Sequence, residues 1–256
     1  MSAFDLSGRV AVVTGGNAVI GLGIAQGLGE AGARVMICGR RDTANDAAIE
    51  ILRSAGCDAH SIVIDVTDRD QLSTLFTHTR EALGPVEFLV NNAEIFRCGE
   101  PETFESADWE AVLDTNLSQV VFASQLAFPD LAPSRDRGGQ GKVINIESMY
   151  SLFGSPSSIA YAASKGGIVQ LTKSLATAWA AHGINVNTIL PGWIETDMTA
   201  PINDQPAMVQ QIVSRTPFGI MGRIDEMAGA AVFLASTGSN FVTGVSVPVD
   251  GGYSVA

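Results

Sequence analysis

Val10-Ala-Val-Val-Thr14-Gly-Gly-Asn-Ala-Val19-Ile-Gly21 runs from an apolar stretch through a glycine turn into a helical pattern. The N–H groups at such a helix start have no intrahelical partner; they bind phosphate, and the helix dipole adds to the attraction. Two registers fit the residues. In one, Gly21 and Gly23 are close-approach glycines in a long loop. In the other, the helix begins near Val19 and buries a stripe of Ile20, Ile24, Leu28 and Ala31. The second is the better fit, because it gives a helix of ordinary length stopping at Gly32, a residue suited to the turn after a helix.

Outward from this stretch, short β-branched runs alternate with longer helical patterns along the chain. Strands are predicted over residues 10–14, 35–39, 59–64, 88–91, 143–148, 185–190 and 245–249. Helices are predicted over 20–31, 43–55, 68–83, 106–128, 160–181 and 225–235, with Thr67-Asp-Arg-Asp70 as a capping box before the third. The strands are continuously apolar, which predicts a parallel sheet covered on both faces. Residues 196–215 lack a strand, hold Pro201 and Pro206, and are expected to form a mobile lid over the site. No linker or repeat divides the chain, so 1–256 is expected to be a single domain.

Composition narrows the function. Hydrophobic residues make up 46% and charged residues 16%, with a mean hydropathy of +0.23. So lean a polar surface predicts apolar area buried between subunits. No apolar run approaches the length of about 20 residues that spans a bilayer, and the start lacks a signal-peptide pattern. Cys38, Cys57 and Cys98 are scattered and without metal-ligand spacing, as expected of free thiols in the cytoplasm; no metal site is expected. A net charge of −12 argues against a nucleic-acid partner, whose phosphates would repel it.

The chemistry is carried by Tyr161-Ala-Ala-Ser-Lys165. On a helix, positions i and i+4 lie one above the other, so this spacing presents a phenol and an ammonium to one place. A fixed positive charge nearby favours the phenolate, and a tuned phenol exchanges protons with an alcohol or carbonyl oxygen. Ser148 lies thirteen residues upstream, after the apolar run Lys142-Val-Ile-Asn-Ile146, and Asn116 falls in Leu113-Asp-Thr-Asn-Leu117. The spacing alone is weak evidence, since two unrelated helix residues often share it. Its company makes it informative.

Taken together, these motifs resemble the short-chain dehydrogenase/reductase family over essentially the full length. Thr14-Gly15-x-x-x-Val19-x-Gly21 is similar to the family's Thr-Gly-x-x-x-Gly-x-Gly with one departure. Asp65-Val66 matches its adenine-contacting pair, and Asn91-Asn92-Ala93-Glu94 its Asn-Asn-Ala-Gly, again with one departure. Asn116, Ser148, Tyr161 and Lys165 fall on its catalytic tetrad. Pro191-Gly192-x-Ile194-x-Thr196 matches the segment that holds the nicotinamide, and Asp250-Gly251-Gly252 the C-terminal turn.

The resemblance implies a Rossmann-type doubly wound α/β fold, with the site outside the C-terminal strand ends. It implies cofactor contacts from Thr14, Gly15, Asn17, Ile20, Gly21, Asp65, Val66, Asn92, Ala93, Tyr161, Lys165, Pro191, Gly192, Ile194 and Thr196. It also implies hydride transfer between a carbonyl compound and an alcohol, and assembly into a homo-oligomer, a tetramer or dimer. Tyr161 would donate the proton, Lys165 would hold the phenolate and the ribose hydroxyls, and Ser148 would bond the substrate oxygen. Asn116 would position a water that carries protons toward Lys165.

Gly39 stands where NAD enzymes of this kind carry an acidic residue, and Arg40 and Arg41 follow it. These arginines suit a 2′-phosphate, so NADP(H) is expected ahead of NAD(H). Glu94, Phe96, Met149, Tyr150, Phe153 and Trp193 are the expected substrate pocket, bulky and largely apolar. Three residues break the pattern. Val19 replaces a glycine; either it obstructs the pyrophosphate, or the helix starts differently and it packs beneath. Glu94 replaces another, and Glu147 precedes Ser148 at a position usually small. Drift, engineering and a pocket for a cationic or iminium substrate all account for the two glutamates. The rival readings are therefore an imine reductase and a non-catalytic nucleotide-binding protein.

Overall fold

The computed structural model describes residues 2–137, 139–196, 199 and 204–256. In chain order its elements are β1 (Val10–Thr14), α1 (Val19–Glu30), β2 (Arg34–Gly39), α2 (Asp42–Ser54), β3 (Ala59–Val63), α3 (Arg69–Ala82) and β4 (Phe88–Asn91). They continue with α4 (Ser106–Leu113), α5 (Gln119–Leu131), β5 (Gly141–Ile146), α6 (Ile159–Trp179) and β6 (Ile184–Pro191). The chain closes with α7 (Pro206–Arg215), α8 (Glu226–Ala235) and β7 (Ser246–Val249).

The strands form one parallel sheet in the order β3-β2-β1-β4-β5-β6-β7. Successive strand residues point to opposite faces, so β1 splits its side chains between two cores. Ala11 and Val13 join Ile24, Leu28, Ile37, Ile49, Ile144 and Leu234 on one side. Val10 and Val12 join Met36, Leu75, Phe76, Leu131 and Val143 on the other. Both faces are therefore apolar, and the sheet is covered by helices on each, as the continuous strands predict. The order reverses direction between β1 and β4, which opens a crevice at the C-terminal ends of those strands.

Four boundaries differ from expectation. The helix expected over 106–128 is two helices, α4 and α5, joined by a widened π turn over Asp114–Ser118. The capping box sits one residue later than Thr67: Asp68 is the cap, its carboxylate accepting from the N–H groups of Asp70 and Gln71, at 3.0 and 3.1 Å. The strand expected to reach Ser148 ends at Ile146, because the Ser148 hydroxyl caps the short turn Met149–Ser151. Finally, part of the expected lid is the regular helix α7, with Pro206 at its start, where a missing N–H costs nothing. Residues 197, 198 and 200–203 of that lid lie outside the described residues.

Candidate active site

The loop after β1 is fastened before it meets any ligand. Thr14 Oγ1 accepts from the N–H groups of Asn92 and Ala93, at 3.0 and 3.1 Å. Asn92 Nδ2 donates to the carbonyls of Thr14 and Gly15, at 3.0 and 3.1 Å. These four bonds tie the β1 loop to the end of β4. They also fix why Gly21 is glycine: a Cβ there would run into Asn92 Nδ2 and the Gly15 carbonyl. Gly15 itself has φ +63°.

Helix α1 begins at Val19, with Ile24 and Leu28 buried beneath it, in the second register. Its first internal bond runs from the Leu22 N–H to the Ala18 carbonyl, so the N–H groups of Val19, Ile20 and Gly21 precede the ladder. That is the physical requirement for holding a pyrophosphate. Val19, however, has φ +48°, the one non-glycine residue with positive φ among the described residues. A β-branched side chain in the left-handed region costs on the order of 1–3 kcal/mol. The glycine missing from the sequence pattern is missed by the backbone too.

At the end of β2, the Asn17 side chain lies over Gly39, where any Cβ would collide with it. Asn17 Nδ2 donates to Asn45 Oδ1 at 2.8 Å. A side chain at position 39 would have to push the Asn17 amide aside, and the adjoining arginines stand beside this turn to meet an adenosine. Arg40 is two-thirds exposed and lies 3.9 Å from an Asp65 carboxylate oxygen; Arg40 and Arg41 both face the cavity.

Tyr161 and Lys165, one turn apart on α6, are buried and meet at one carboxylate. Glu94 Oε2 accepts from the Tyr161 hydroxyl at 3.0 Å and sits 2.6 Å from Lys165 Nζ. Lys165 also donates to the Ile146 carbonyl at 2.8 Å. The expectation that Lys165 would pull the phenol toward ionisation is corrected here. Burial pushes the Tyr161 hydroxyl well above its ordinary range, and the neighbouring Glu94 charge pushes further, with only the Ser148 hydroxyl opposing among its main contacts. Glu94 takes the ammonium's charge, and Tyr161 gives its hydrogen to Glu94.

Asn116 lies in the π turn. Its Oδ1 accepts from the Ile95 N–H and its Nδ2 donates to the Ile95 carbonyl, both at 2.9 Å, and it reaches Ser164 Oγ at 3.3 Å. Both Nδ2 hydrogens and one lone pair of Oδ1 are engaged in fixing the loop after β4 to α6. Ser164 carries no distinctive sequence signal of its own, and Ile95, which falls among the bulky apolar residues expected around the substrate, lines the cavity. Glu147, just past the end of β5, also lines the cavity and accepts from Ser246 Oγ on β7 at 2.9 Å. Among the described residues its other oxygen is buried without a hydrogen-bond partner in good geometry, the Thr188 hydroxyl being its near neighbour. Burial therefore pushes the carboxyl above its ordinary range, opposed by the hydroxyls of Thr188 and Ser246.

One cavity of about 1020 Å³ joins these parts. It runs from Gly15 and Ile20 past Arg40, Asp65 and Val66, then along Asn92 and Ala93 to Ser148, Tyr161 and the Pro191–Thr196 segment. Its size and course suit a dinucleotide together with a small substrate. Glu94, Phe96, Met149, Tyr150 and Trp193 line the substrate end. Phe153 does not: its ring packs 6.2 Å from Tyr253, with the Arg215 guanidinium 4.4 Å above it. Thr199, Gln205 and Met208 line the cavity as well. All three fall in the 196–215 segment expected over the site, though the sequence singled out none of them. Among the described residues no cluster of side chains suits a metal ion.

A family model described as enoyl-(acyl carrier protein) reductase matches residues 16–254. The gluconate 5-dehydrogenase of Gluconobacter oxydans (strain 621H) is 38% identical over 253 residues, covering 99% of this chain and 97% of that one. The 2-dehydro-3-deoxy-D-gluconate 5-dehydrogenase of Escherichia coli (strain K12) is 36% identical, with 99% and 98% covered. Among solved structures, a gluconate 5-dehydrogenase from Burkholderia cenocepacia J2315 in complex with NADP and tartrate superposes with a TM-score of 0.92. It is 37% identical and covers 99% of this chain and 98% of its own.

Proposed function

The chain belongs to the short-chain dehydrogenase/reductase family, and from that membership we propose that it is an NADP(H)-dependent oxidoreductase interconverting a carbonyl compound and an alcohol. The observation that carries this reading is the meeting of Tyr161, Ser148 and Lys165 at one end of a cavity whose other end is a phosphate-binding loop. Solved relatives carrying NADP support the choice of cofactor, as do Arg40 and Arg41 beside Gly39, where no acidic side chain stands.

Thr14, Gly15, Asn17, Ile20 and Gly21 would form and hold the pyrophosphate loop, and Arg40 and Arg41 would meet the 2′-phosphate. Asp65 and Val66 would take the adenine, and Asn92 and Ala93 the adjoining backbone. Pro191, Gly192, Ile194 and Thr196 would hold the nicotinamide. When bound, the cofactor supplies or accepts the hydride. Lys165 meets the ribose hydroxyls, Ser148 hydrogen-bonds the substrate oxygen, and Tyr161, released from Glu94, gives the oxygen its proton. Asn116 keeps the loop after β4 in register with α6.

The chain also assembles with copies of itself in this reading, through apolar side chains left exposed in the single chain, among them Phe218, Ile220 and Phe241. Among the described residues, no helix is long and apolar enough to cross a membrane. Tyr161→Phe tests the mechanism, because it removes only the proton donor. Turnover should fall about 10²–10⁴-fold while the NADPH dissociation constant stays within a factor of a few. Retention of most activity would refute Tyr161 as the donor.

A further inference from the structure

The substrate end of the cavity has an acceptor where reduction of a neutral ketone calls for a donor. A ketone oxygen gains negative charge as hydride arrives, and it needs a hydrogen to meet it. Here the Tyr161 hydrogen is directed at Glu94 Oε2, and the Lys165 ammonium lies 2.6 Å from that same oxygen. The Glu94 side chain keeps 22% of its surface exposed in the cavity it lines. Around it stand aromatic rings: Phe96 edge-on to Tyr161 at 5.0 Å, Tyr150 edge-on to Tyr161 at 6.2 Å, and Trp193 against Tyr150 at 6.5 Å. Aromatic rings and a carboxylate lining one cavity are groups that can recognise an organic cation.

The remaining charges agree. Arg97, the cation nearest along the chain, is paired with Asp108 at 3.2 Å. Arg40 and Arg41 stand at the opposite, β2 end of the cavity. Lys165 can meet a cofactor hydroxyl with the hydrogen that Glu94 and the Ile146 carbonyl leave over, and the Glu94 carboxylate keeps an exposed edge toward the cavity. An anionic sugar acid, the substrate class named for several relatives, would meet that charge with repulsion.

We propose that this pocket takes a substrate already positively charged at the reacting carbon, a protonated cyclic imine reduced to a secondary amine, and that Glu94 selects it. The inference rests on the oxidoreductase reading above and names its substrate class. The iminium carbon accepts the hydride, the C=N π pair moves onto nitrogen, and a neutral amine leaves with the cofactor oxidised. No proton has to come from Tyr161 in that step. Glu94 balances the cation on its way in, and the aromatic walls hold the ring.

The test compares NADPH oxidation with 2-methyl-1-pyrroline and with cyclopentanone, using the intact protein and Glu94→Gln, with NADPH affinity measured for both. The wild-type protein should prefer the imine in kcat/KM. Glu94→Gln removes the charge and keeps the shape. It should lower kcat/KM for the imine about 10- to 100-fold and raise it for the ketone, because a neutral amide oxygen holds the Tyr161 hydrogen less strongly than a carboxylate does. Imine turnover that is absent or insensitive to Glu94→Gln, beside measurable ketone turnover, overturns the proposal and leaves the carbonyl reading standing. A parallel fall with both substrates also overturns it, marking Glu94 as structural. If neither substrate oxidises bound NADPH in either protein, the oxidoreductase reading falls and this proposal with it.

Discussion

Val19 holds a left-handed backbone, φ +48°, at the point where helix α1 opens toward the cavity. Two costs compete at this residue. The left-handed conformation costs an L-residue about 1–2 kcal/mol, whereas glycine is at most about 1 kcal/mol poorer than a good helix former and less against valine. Strain relief wins, so Val19→Gly should stabilise the protein by roughly 1 kcal/mol. It should also tighten NADPH binding, because the side chain lining the cavity at the phosphate-binding turn is removed. Thermal melts with and without NADPH check both effects. A lower melting temperature with unchanged affinity would mean that the valine packs usefully beneath the loop.

At the scale of elements, the turn from β2 into α2 is where cofactor choice is made. Gly39 carries no acidic side chain and Asn17 lies over it, so Arg40 and Arg41 are the charged side chains this turn presents to the cavity. Arg40 is only loosely paired with Asp65, 3.9 Å away, so its guanidinium is available to a phosphate. Losing charge-assisted bonds of this kind costs on the order of 1.5–3 kcal/mol, roughly a ten- to hundredfold change in preference. The Arg40→Ala, Arg41→Ala double variant should shift the NADPH/NADH ratio of kcat/KM by that amount. An unchanged ratio would make the arginines bystanders. Helix α7 is the other element of interest, since its C-terminal Arg215 lies between the rings of Phe153 and Tyr253, at 4.4 and 4.3 Å. That clasp joins one end of the cavity-lining segment to the C-terminal turn.

For the whole molecule, Glu147 links folding to pH. Its carboxyl is raised above the ordinary value of 4.5 by burial, so the folded chain binds its proton more tightly than the unfolded chain does. Stability contributed at this site is therefore lost as pH rises through the window between the two values. The penalty is complete above the folded value and vanishes below 4.5. Glu147→Gln should accordingly stabilise the fold by about 1–2 kcal/mol at pH 8, where a buried charge with one oxygen lacking a partner in good geometry is removed. The gain should shrink toward zero near pH 4. Denaturation across that range reads the effect directly, and a gain independent of pH would assign it to shape rather than charge.

The order of strands and helices, the parallel sheet, the phosphate-binding turn and the α6 spacing of Tyr161 and Lys165 were legible in the chain. Each depends on local periodicity, on glycine and on sequence order. Arg40 and Arg41 were legible for the same reason, being fixed to the end of a strand. What needed the tertiary structure was partnership. The break between α4 and α5 follows from Asn116 bonding Ile95, twenty-one residues away. The displacement of Phe153 from the cavity follows from contacts with Arg215 and Tyr253, far along the chain. Above all, sequence marked Glu94 as a misplaced charge, but only folding put that charge on Lys165 and Tyr161, reversing the expected pull on the phenol. Spacing on one helix determines which groups share a face. The field they experience is set by whatever the rest of the chain packs against them.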